Sequence, residues 1–165
     1  MSDSWFDSYT GQLRKLVGHQ KLIVPSIRAI VTDPEGKILF IRRKGNGCWA
    51  MPAGAIELNE SIFGCLQREV KEETGLDVHQ ATLISIYTDP RYTVTTSYGD
   101  EYQGFEFLFH VHDWSGSLEL ETDETIGAQF FSIDDLPVLE EGYFGKHHEE
   151  VLEDFMAFSG VPFVK

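Results

Sequence analysis

The sequence predicts a single α+β domain in which helices pack on a mixed β-sheet. The chain has 165 residues, the size of one domain and enough to bury about two thirds of the unfolded surface. Strand-like patterns dominate from residue 22 onwards and are interrupted by few helical segments. A composition of 42% hydrophobic and 24% charged residues is that of a globular protein and excludes a disordered or collagen-like chain.

Residues 1–20 are predicted to form a short appended helix. Apolar side chains recur there at helical spacing, and Gly18 follows as a stop signal. These side chains are Trp5, Phe6, Tyr9, Leu13, Leu16 and Val17. A lid and a homodimer contact are two functional interpretations, and the alternative is a helix that packs on its own domain. Residues 21–165 then form the single main domain, which ends with a helix.

The predicted strands begin with two segments that flank the turn signal at residues 33–36, and these two are expected to pair as a hairpin. Alternating apolar residues near residue 107 predict one buried strand face. The predicted strands are 22–32, 37–42, 82–87, 92–97, 101–112, 118–120 and 129–133, and the later predicted helices are 60–74 and 146–158.

The charge balance argues against a nucleic-acid-binding surface. Acidic residues outnumber basic ones 27 to 13, for a net charge of -14, whereas duplex binding depends on phosphate neutralisation. A small phosphate-bearing substrate stays compatible, because it needs only a local cationic site or a bound metal.

The two cysteines, Cys48 and Cys65, are expected to be free thiols, because a secreted chain that relied on disulfides would carry more. The sequence also lacks a long apolar run and a signal-peptide pattern at its first residues. We therefore expect a cytoplasmic protein that does not span a membrane.

The predicted helix 60–74 carries an unusual set of carboxylates. Asn59 is a suitable N-cap and Gly75 a suitable C-terminal stop. On a helical wheel Glu73 falls roughly 20° from Ile62, inside the apolar stripe, and Glu69 lies at its edge. Glu72 lies further round, and Phe63 falls within the stripe. Core-facing carboxylates are costly unless they are paired or bind metal.

Clustered oxygen ligands suit a hard cation, so Mg²⁺ or Mn²⁺ is the expected occupant. The alternative is a solvated helix end stabilised by i,i+4 pairs such as Arg68–Glu72.

The flanking residues identify the pattern. Residues 54–76 match the Nudix box, G-x5-E-x7-R-E-U-x-E-E-x-G-U with U apolar, at every specified position. The matching residues are Gly54, Glu60, Arg68, Glu69, Val70, Glu72, Glu73, Gly75 and Leu76. The segment 49–54 and the turn 134–137 also resemble this family, although Ala53 replaces the first glycine of its usual W-x-h-P-G-G segment. The chain thus resembles the Nudix (MutT-like) hydrolase family over about residues 22–140.

The resemblance implies an α/β/α sandwich around a mixed sheet. It also implies Mg²⁺-dependent hydrolysis of a nucleoside diphosphate linked to another moiety, with Mn²⁺ as the alternative metal. By this resemblance Glu69 and Glu73 are the main metal ligands, Glu72 completes the cluster directly or through water, a carbonyl near Gly54 joins it, and Glu57 lies beside the metals.

The resemblance further implies that Glu60 and Arg68 orient the catalytic loop and Glu69. A loop glutamate outside the box often serves as the general base in the family, and Glu124 lies where such a loop is expected. Glu121, Asp123 and a box glutamate are rival candidates, and an ordinary acidic turn is the alternative.

Candidate substrate contacts lie outside the box. Arg42, Arg43 and Lys44 end the strand before it and are expected to contact phosphate, unless they form a solvated strand end. Tyr92 is expected to stack on a base, as are Tyr98 and Tyr102, unless they only pack in a hairpin.

The substrate signals point in two directions. In the family a proline about 15 residues beyond the box indicates ADP-ribose, and a tyrosine slightly further on indicates diadenosine polyphosphates; the chain has Pro90 and Tyr92. An ADP-ribose-like compound is the favoured small-molecule substrate. The alternatives are a MutT-like nucleoside triphosphate pyrophosphohydrolase, a non-catalytic nucleotide sensor, and an isoprenoid diphosphate isomerase, which would require a catalytic cysteine.

Overall fold

Three helices and two sheets build the part of the chain that the computed structural model describes, which is residues 7–96, 98–139 and 143–165, without the side chains of 143–145. The helices are α1 (Tyr9–Val17), α2 (Ile62–Thr74) and α3 (Tyr143–Ala157). The strands are β1 (Leu22–Val31), β2 (Ile38–Arg43), β3 (Trp49–Ala50), β4 (Ala53–Ala55), β5 (Asp77–Tyr87), β6 (Thr93–Thr95), β7 (Glu101–Ser115), β8 (Thr125–Phe131) and β9 (Phe163–Val164). None of these helices has the length and apolar character needed to cross a membrane.

The larger sheet is mixed, as predicted. Its strand order is β4-β1-β7-β5-β9, and β6 pairs with one end of β7. Strand β1 pairs antiparallel with β4 and parallel with β7, while β5 and β7 are antiparallel. A second sheet of order β3-β2-β8 is antiparallel throughout.

Helices cover both faces of the larger sheet. Successive side chains of β1 point to opposite faces, so Ile27 and Val31 pack in one core cluster with Leu66 and Val70 of α2. Ile30 packs in a second cluster that includes Val151 of α3. This arrangement is an α/β/α sandwich, and it explains why residues 27–31 form a continuous buried run.

Helix α2 ends where the sequence predicts and begins slightly later. Gly75 closes it in the left-handed conformation at φ 78°, which glycine adopts without strain. Its N-cap is Ser61, whose side chain accepts a hydrogen bond from the Gly64 N–H, so the prediction of Asn59 as N-cap is wrong. Asn59 instead adopts a positive φ of 63° in the preceding turn.

Three strand predictions are wrong in detail. Strands β1 and β2 do not form a hairpin, because they belong to different sheets. An isolated bridge pairs Thr32, just after β1, with Ile38. The segment 118–120 is not a strand. Both faces of β7 are covered, because Glu106 and Leu108 are buried on the face opposite to Phe107.

The helix predicted within residues 1–20 is present at Tyr9–Val17, and Gly18 caps its C-terminus. Trp5 and Phe6, which contributed to that prediction, lie outside the described residues. The helix packs on its own domain, because the buried side chain of Arg14, which is 8% exposed, contacts Tyr102 of β7.

Candidate active site

Helix α2 places two carboxylates on its buried face. Glu69 and Glu73 are 8% and 4% exposed, and they share that face with Cys65, Leu66 and Val70. The wheel prediction for both carboxylates is therefore confirmed. Phe63, which the same wheel placed in the apolar stripe, is instead partly exposed at the first turn.

Strand β4 lies directly against these carboxylates. The Ala53 N–H donates to Oε2 of Glu73 over 3.0 Å. A Cβ added at Gly54 would overlap the carboxyl group of Glu69. Glycine is therefore required at position 54 by the close approach of the two elements, which gives the first residue of the box a physical reason.

Arg68 connects the acidic side chains around the box. Its Nε and Nη2 donate to the two carboxylate oxygens of Glu60 over 2.8 and 3.0 Å. Its Nη1 donates to Glu69 over 2.7 Å and to Glu72 over 3.2 Å, and Nη2 reaches the Ala55 carbonyl over 3.1 Å. This bidentate pairing holds the pKa of Glu60 below its usual value.

The two buried carboxylates lie in an environment that disfavours their negative charge. Burial raises the pKa of Glu73 to about 8, although the charge of Arg43 opposes this, and Glu69 and Glu124 reinforce it. Burial also raises the pKa of Glu69, against the attraction of Arg68. Without a cation, the folded protein therefore favours a proton on Glu73.

The predicted three-carboxylate cluster is not assembled in the structure. Within residues 7–96, 98–139 and 143–165, no three acidic, histidine or cysteine side chains converge closely enough to hold a metal ion. Nη1 of Arg68 donates to both Glu69 and Glu72, which pairs these two carboxylates with the guanidinium group. The donor chemistry nevertheless fits a hard divalent cation, because Glu69 and Glu73 present buried carboxylate oxygens that lack a full positive counter-charge.

A cavity of about 810 Å³ runs from this helix across the larger sheet. At one end it is lined by box residues, and at the other by tyrosines of the β6–β7 region. Of the predicted site residues, those on its wall are Gly54, Glu57, Arg68, Glu69, Glu72, Tyr92, Tyr98, Tyr102 and Glu124, whereas Glu60 and Glu73 do not line it.

The predicted phosphate contacts do not reach this cavity. Arg42 and Arg43 are not among its lining residues. Arg42 Nε donates to the Gly47 carbonyl over 2.9 Å, so the strand turns this side chain away. Arg43 acts on the site through its charge, which favours the ionised form of Glu73.

Tyr92 lines the cavity as a packed residue. Its ring centroid lies 5.3 Å from those of both Tyr87 and His147. Its hydroxyl group bonds to Glu150 over 3.1 Å. The ring is 4% exposed, so it offers a base little open face, in contrast to the expectation from sequence.

Known proteins resemble this chain over most of its length. A sequence profile of the NUDIX domain matches residues 22–155. The ADP-ribose pyrophosphatase of Methanocaldococcus jannaschii is 32% identical over 133 residues, which cover 76% of this chain and 69% of that protein. Several other curated relatives match over shorter stretches, which cover two fifths or less of their length.

Two solved structures share the fold over most of the chain. The MutT NUDIX hydrolase of Burkholderia pseudomallei superposes with a TM-score of 0.64 at 25% identity, covering 81% of this chain and 98% of that one. A UDP-X diphosphatase superposes with a TM-score of 0.63 at 26% identity, covering 100% of this chain and 76% of that one.

This chain belongs to the Nudix family. The family and fold predicted from residues 54–76 are thereby confirmed, and the protein is a Nudix pyrophosphohydrolase.

Sequence reasoning missed part of the wall of the Nudix cavity. Arg28 and Glu106 line it as a buried bidentate pair with N–O distances of 2.9 and 3.0 Å. Both lie in apolar strand segments, and a charge of each sign in such segments is a signal for a buried pair. His147 donates to Glu106 over 2.8 Å, and His147 and His148 are both buried.

The raised pKa of Glu73 predicts how the stability of the Nudix protein without metal depends on pH. The unfolded chain releases this proton near pH 4.5, and the folded chain keeps it to about pH 8. The folded state thus holds the extra proton in this window, and the free energy of unfolding falls as pH rises, by up to about 2 kcal/mol between pH 6 and 8.

Urea unfolding in EDTA at pH 6 and pH 8 measures this fall. Glu73→Gln should reduce it and should melt at a similar or higher temperature than the wild type at pH 8. Identical pH dependence in the two proteins would show that Glu73 is not the group responsible.

Proposed function

We propose that this Nudix protein uses Mg²⁺ or Mn²⁺ to cleave the pyrophosphate linkage of a nucleoside diphosphate derivative, with an ADP-ribose-like compound favoured. The observation that carries the proposal is the cavity that joins the box carboxylates Glu69 and Glu72 to Tyr98 and Tyr102. Its volume of about 810 Å³ is in the range of small-molecule sites, about 300–1,000 Å³. It therefore has room for the organic groups on both sides of a diphosphate.

The proposed metal ligands are Glu69 and Glu73, joined by the Gly54 carbonyl and, directly or through water, by Glu72. Glu57 is proposed to lie beside the metals. A divalent ion there would neutralise diphosphate oxygens and make a water molecule more acidic. Both buried carboxylates need such a counter-charge, because burial raises the pKa of each.

Arg68 and Glu60 are proposed to orient the site. The bidentate pair fixes the guanidinium group, which in turn fixes Glu69 and the Ala55 carbonyl. Glu60 also accepts the Glu57 N–H over 3.0 Å, so the loop before α2 is held in one arrangement.

Glu124 is the proposed general base. It lines the cavity, and its charge influences both Glu69 and Glu73. Its backbone is fixed, because its carbonyl accepts the Lys44 N–H over 2.9 Å. The rival candidates Glu121 and Asp123 do not line the cavity.

The aromatic residues at the far end support a substrate that contains a nucleobase. Tyr98 is 58% exposed and offers an open ring face for stacking, which contributes roughly 1–3 kcal/mol per base. Tyr92 is better assigned to the wall behind this position, because its ring is packed.

The charge of the cavity favours a diphosphate over a triphosphate. Two arginines line it, Arg28 and Arg68, and both are already paired with carboxylates. The Methanocaldococcus jannaschii relative is an ADP-ribose pyrophosphatase, which supports the same choice. The box retains all its glutamates, which disfavours a purely regulatory nucleotide sensor.

Replacing the proposed base should slow the reaction without weakening metal binding. Glu124→Gln should lower kcat by about 10²–10⁴-fold, the usual range for loss of a general base. Steady-state kinetics with ADP-ribose measure this, and Mn²⁺ binding is measured in parallel. Glu121→Gln is the matched control in the same loop, and a loss below threefold in Glu124→Gln would transfer the role to another carboxylate.

The substrate is tested with a panel at one Mg²⁺ concentration. ADP-ribose or a related nucleoside diphosphate sugar should show a higher kcat/KM than any nucleoside triphosphate, with AMP as a product of ADP-ribose. The panel includes diadenosine polyphosphates, 8-oxo-dGTP and ordinary dNTPs. A tenfold preference for a triphosphate would favour the MutT-like alternative, and no hydrolysis of any compound would favour the sensor.

A further inference from the structure

The N-terminal helix α1 forms part of the active-site wall. Asp7, Ser8 and Thr10 line the same cavity as Glu57 and Glu69. These residues precede the NUDIX match, which begins at residue 22. The helix therefore contributes to the site from outside the segment that defines the family.

The first turn of α1 holds a carboxylate of the box loop. The Tyr9 N–H donates to Oε2 of Glu57 over 2.8 Å, across 48 positions of sequence. Tyr9 is the first residue of the helix, and the first N–H groups of a helix have no partner within it. Glu57 satisfies this donor, and the contact fixes the direction of its side chain.

The helix is anchored at its other end by Arg14. Its Nη1 donates to the carbonyls of Gly18 and Gln20 over 2.7 and 2.6 Å. Its guanidinium carbon lies 4.6 Å from the ring centroid of Tyr102, and its Nε lies 3.4 Å from Oδ1 of Asp100. Tyr102 and Asp100 line the far part of the cavity, so α1 links the two ends of the site.

We propose that helix α1 is a positioning element of the active site: its Tyr9 N–H fixes Glu57 on the cavity wall that Glu69 also lines, and Arg14 holds the helix against β7. This inference rests on the proposed metal site. A side chain that must be ordered when the metal binds weakens affinity by about two- to tenfold, and α1 removes that loss by fixing Glu57 beforehand.

The contact can be removed without replacing a side chain of the box. Proline is well tolerated at the first helical position and lacks the N–H group. The preceding residue, Ser8, has ψ 156°, which suits a residue before proline. Tyr9→Pro therefore deletes the donor to Glu57, and Tyr9→Ala is the matched control that keeps the donor and loses the same side chain.

The primary measurement is Mn²⁺ binding without substrate, followed by the EPR signal of free Mn²⁺. The dissociation constant should be about two- to tenfold higher for Tyr9→Pro than for Tyr9→Ala, and kcat/KM for ADP-ribose should fall in parallel. Circular dichroism melts verify that both variants are folded. Equal Mn²⁺ dissociation constants in the two folded variants would overturn the proposal.

A second pair of variants tests the anchor. Arg14→Ala should reproduce the loss of Mn²⁺ affinity seen in Tyr9→Pro, whereas Leu16→Ala, at an 82% exposed position of the same helix, should bind Mn²⁺ like the wild type. Equal affinity in Arg14→Ala and Leu16→Ala would overturn the anchoring role. If no nucleotide derivative is hydrolysed but the Mn²⁺ differences persist, the proposed function fails while this inference is supported.

Discussion

The burial of two carboxylates between helix α2 and strand β4 is the constraint on which the site depends. Glu69 and Glu73 are both on the core-facing side of the helix, where an unpaired negative charge is costly. The chain offsets part of this cost with Arg68 and with the charge of Arg43. The remaining cost would be offset by a divalent cation at the proposed metal site.

Several features of the box follow from this constraint. Position 54 must be glycine because Glu69 occupies the space of a Cβ. An acidic residue at position 60 accepts the hydrogen bonds that orient the Arg68 guanidinium group, which in turn donates to Glu69.

A second buried network lies on the opposite wall of the cavity. Burial alone would raise the pKa of Glu106, but Arg28 and His147 hold that pKa well below its usual range. This network ties β1, β7 and α3 together.

Local signals predicted the helix that carries the box glutamates. The 3.6-residue period places Glu69 and Glu73 on the same side of the helix as Leu66 and Val70. Gly75 ends the helix because glycine adopts the left-handed conformation without strain. The pairing of strands was less accessible. The turn at residues 33–36 predicts a hairpin, but β1 instead pairs with β7, about 80 positions away along the chain. Such non-local pairing cannot be predicted from a short segment of sequence.

The same limit applies to the site. The contacts from Tyr9 to Glu57 and from Arg14 to Tyr102 join residues 48 and 88 positions apart, so the docking of α1 could not be derived from its own pattern. Similarly, the helical wheel does not include side-chain contacts, so it could not show that Arg68 donates to both Glu69 and Glu72.

The most direct test of the central claim is the thermal stabilisation of the protein by Mn²⁺ or Mg²⁺, compared between the wild type and Glu69→Gln. At a metal concentration about 100 times the dissociation constant, the wild type should gain about 2.7 kcal/mol, which raises Tm by roughly 5–10 °C for a chain of this size. Glu69→Gln should remain folded and show little of this shift at the same concentration. An equal shift in both proteins would contradict the assignment of these buried carboxylates as the metal site.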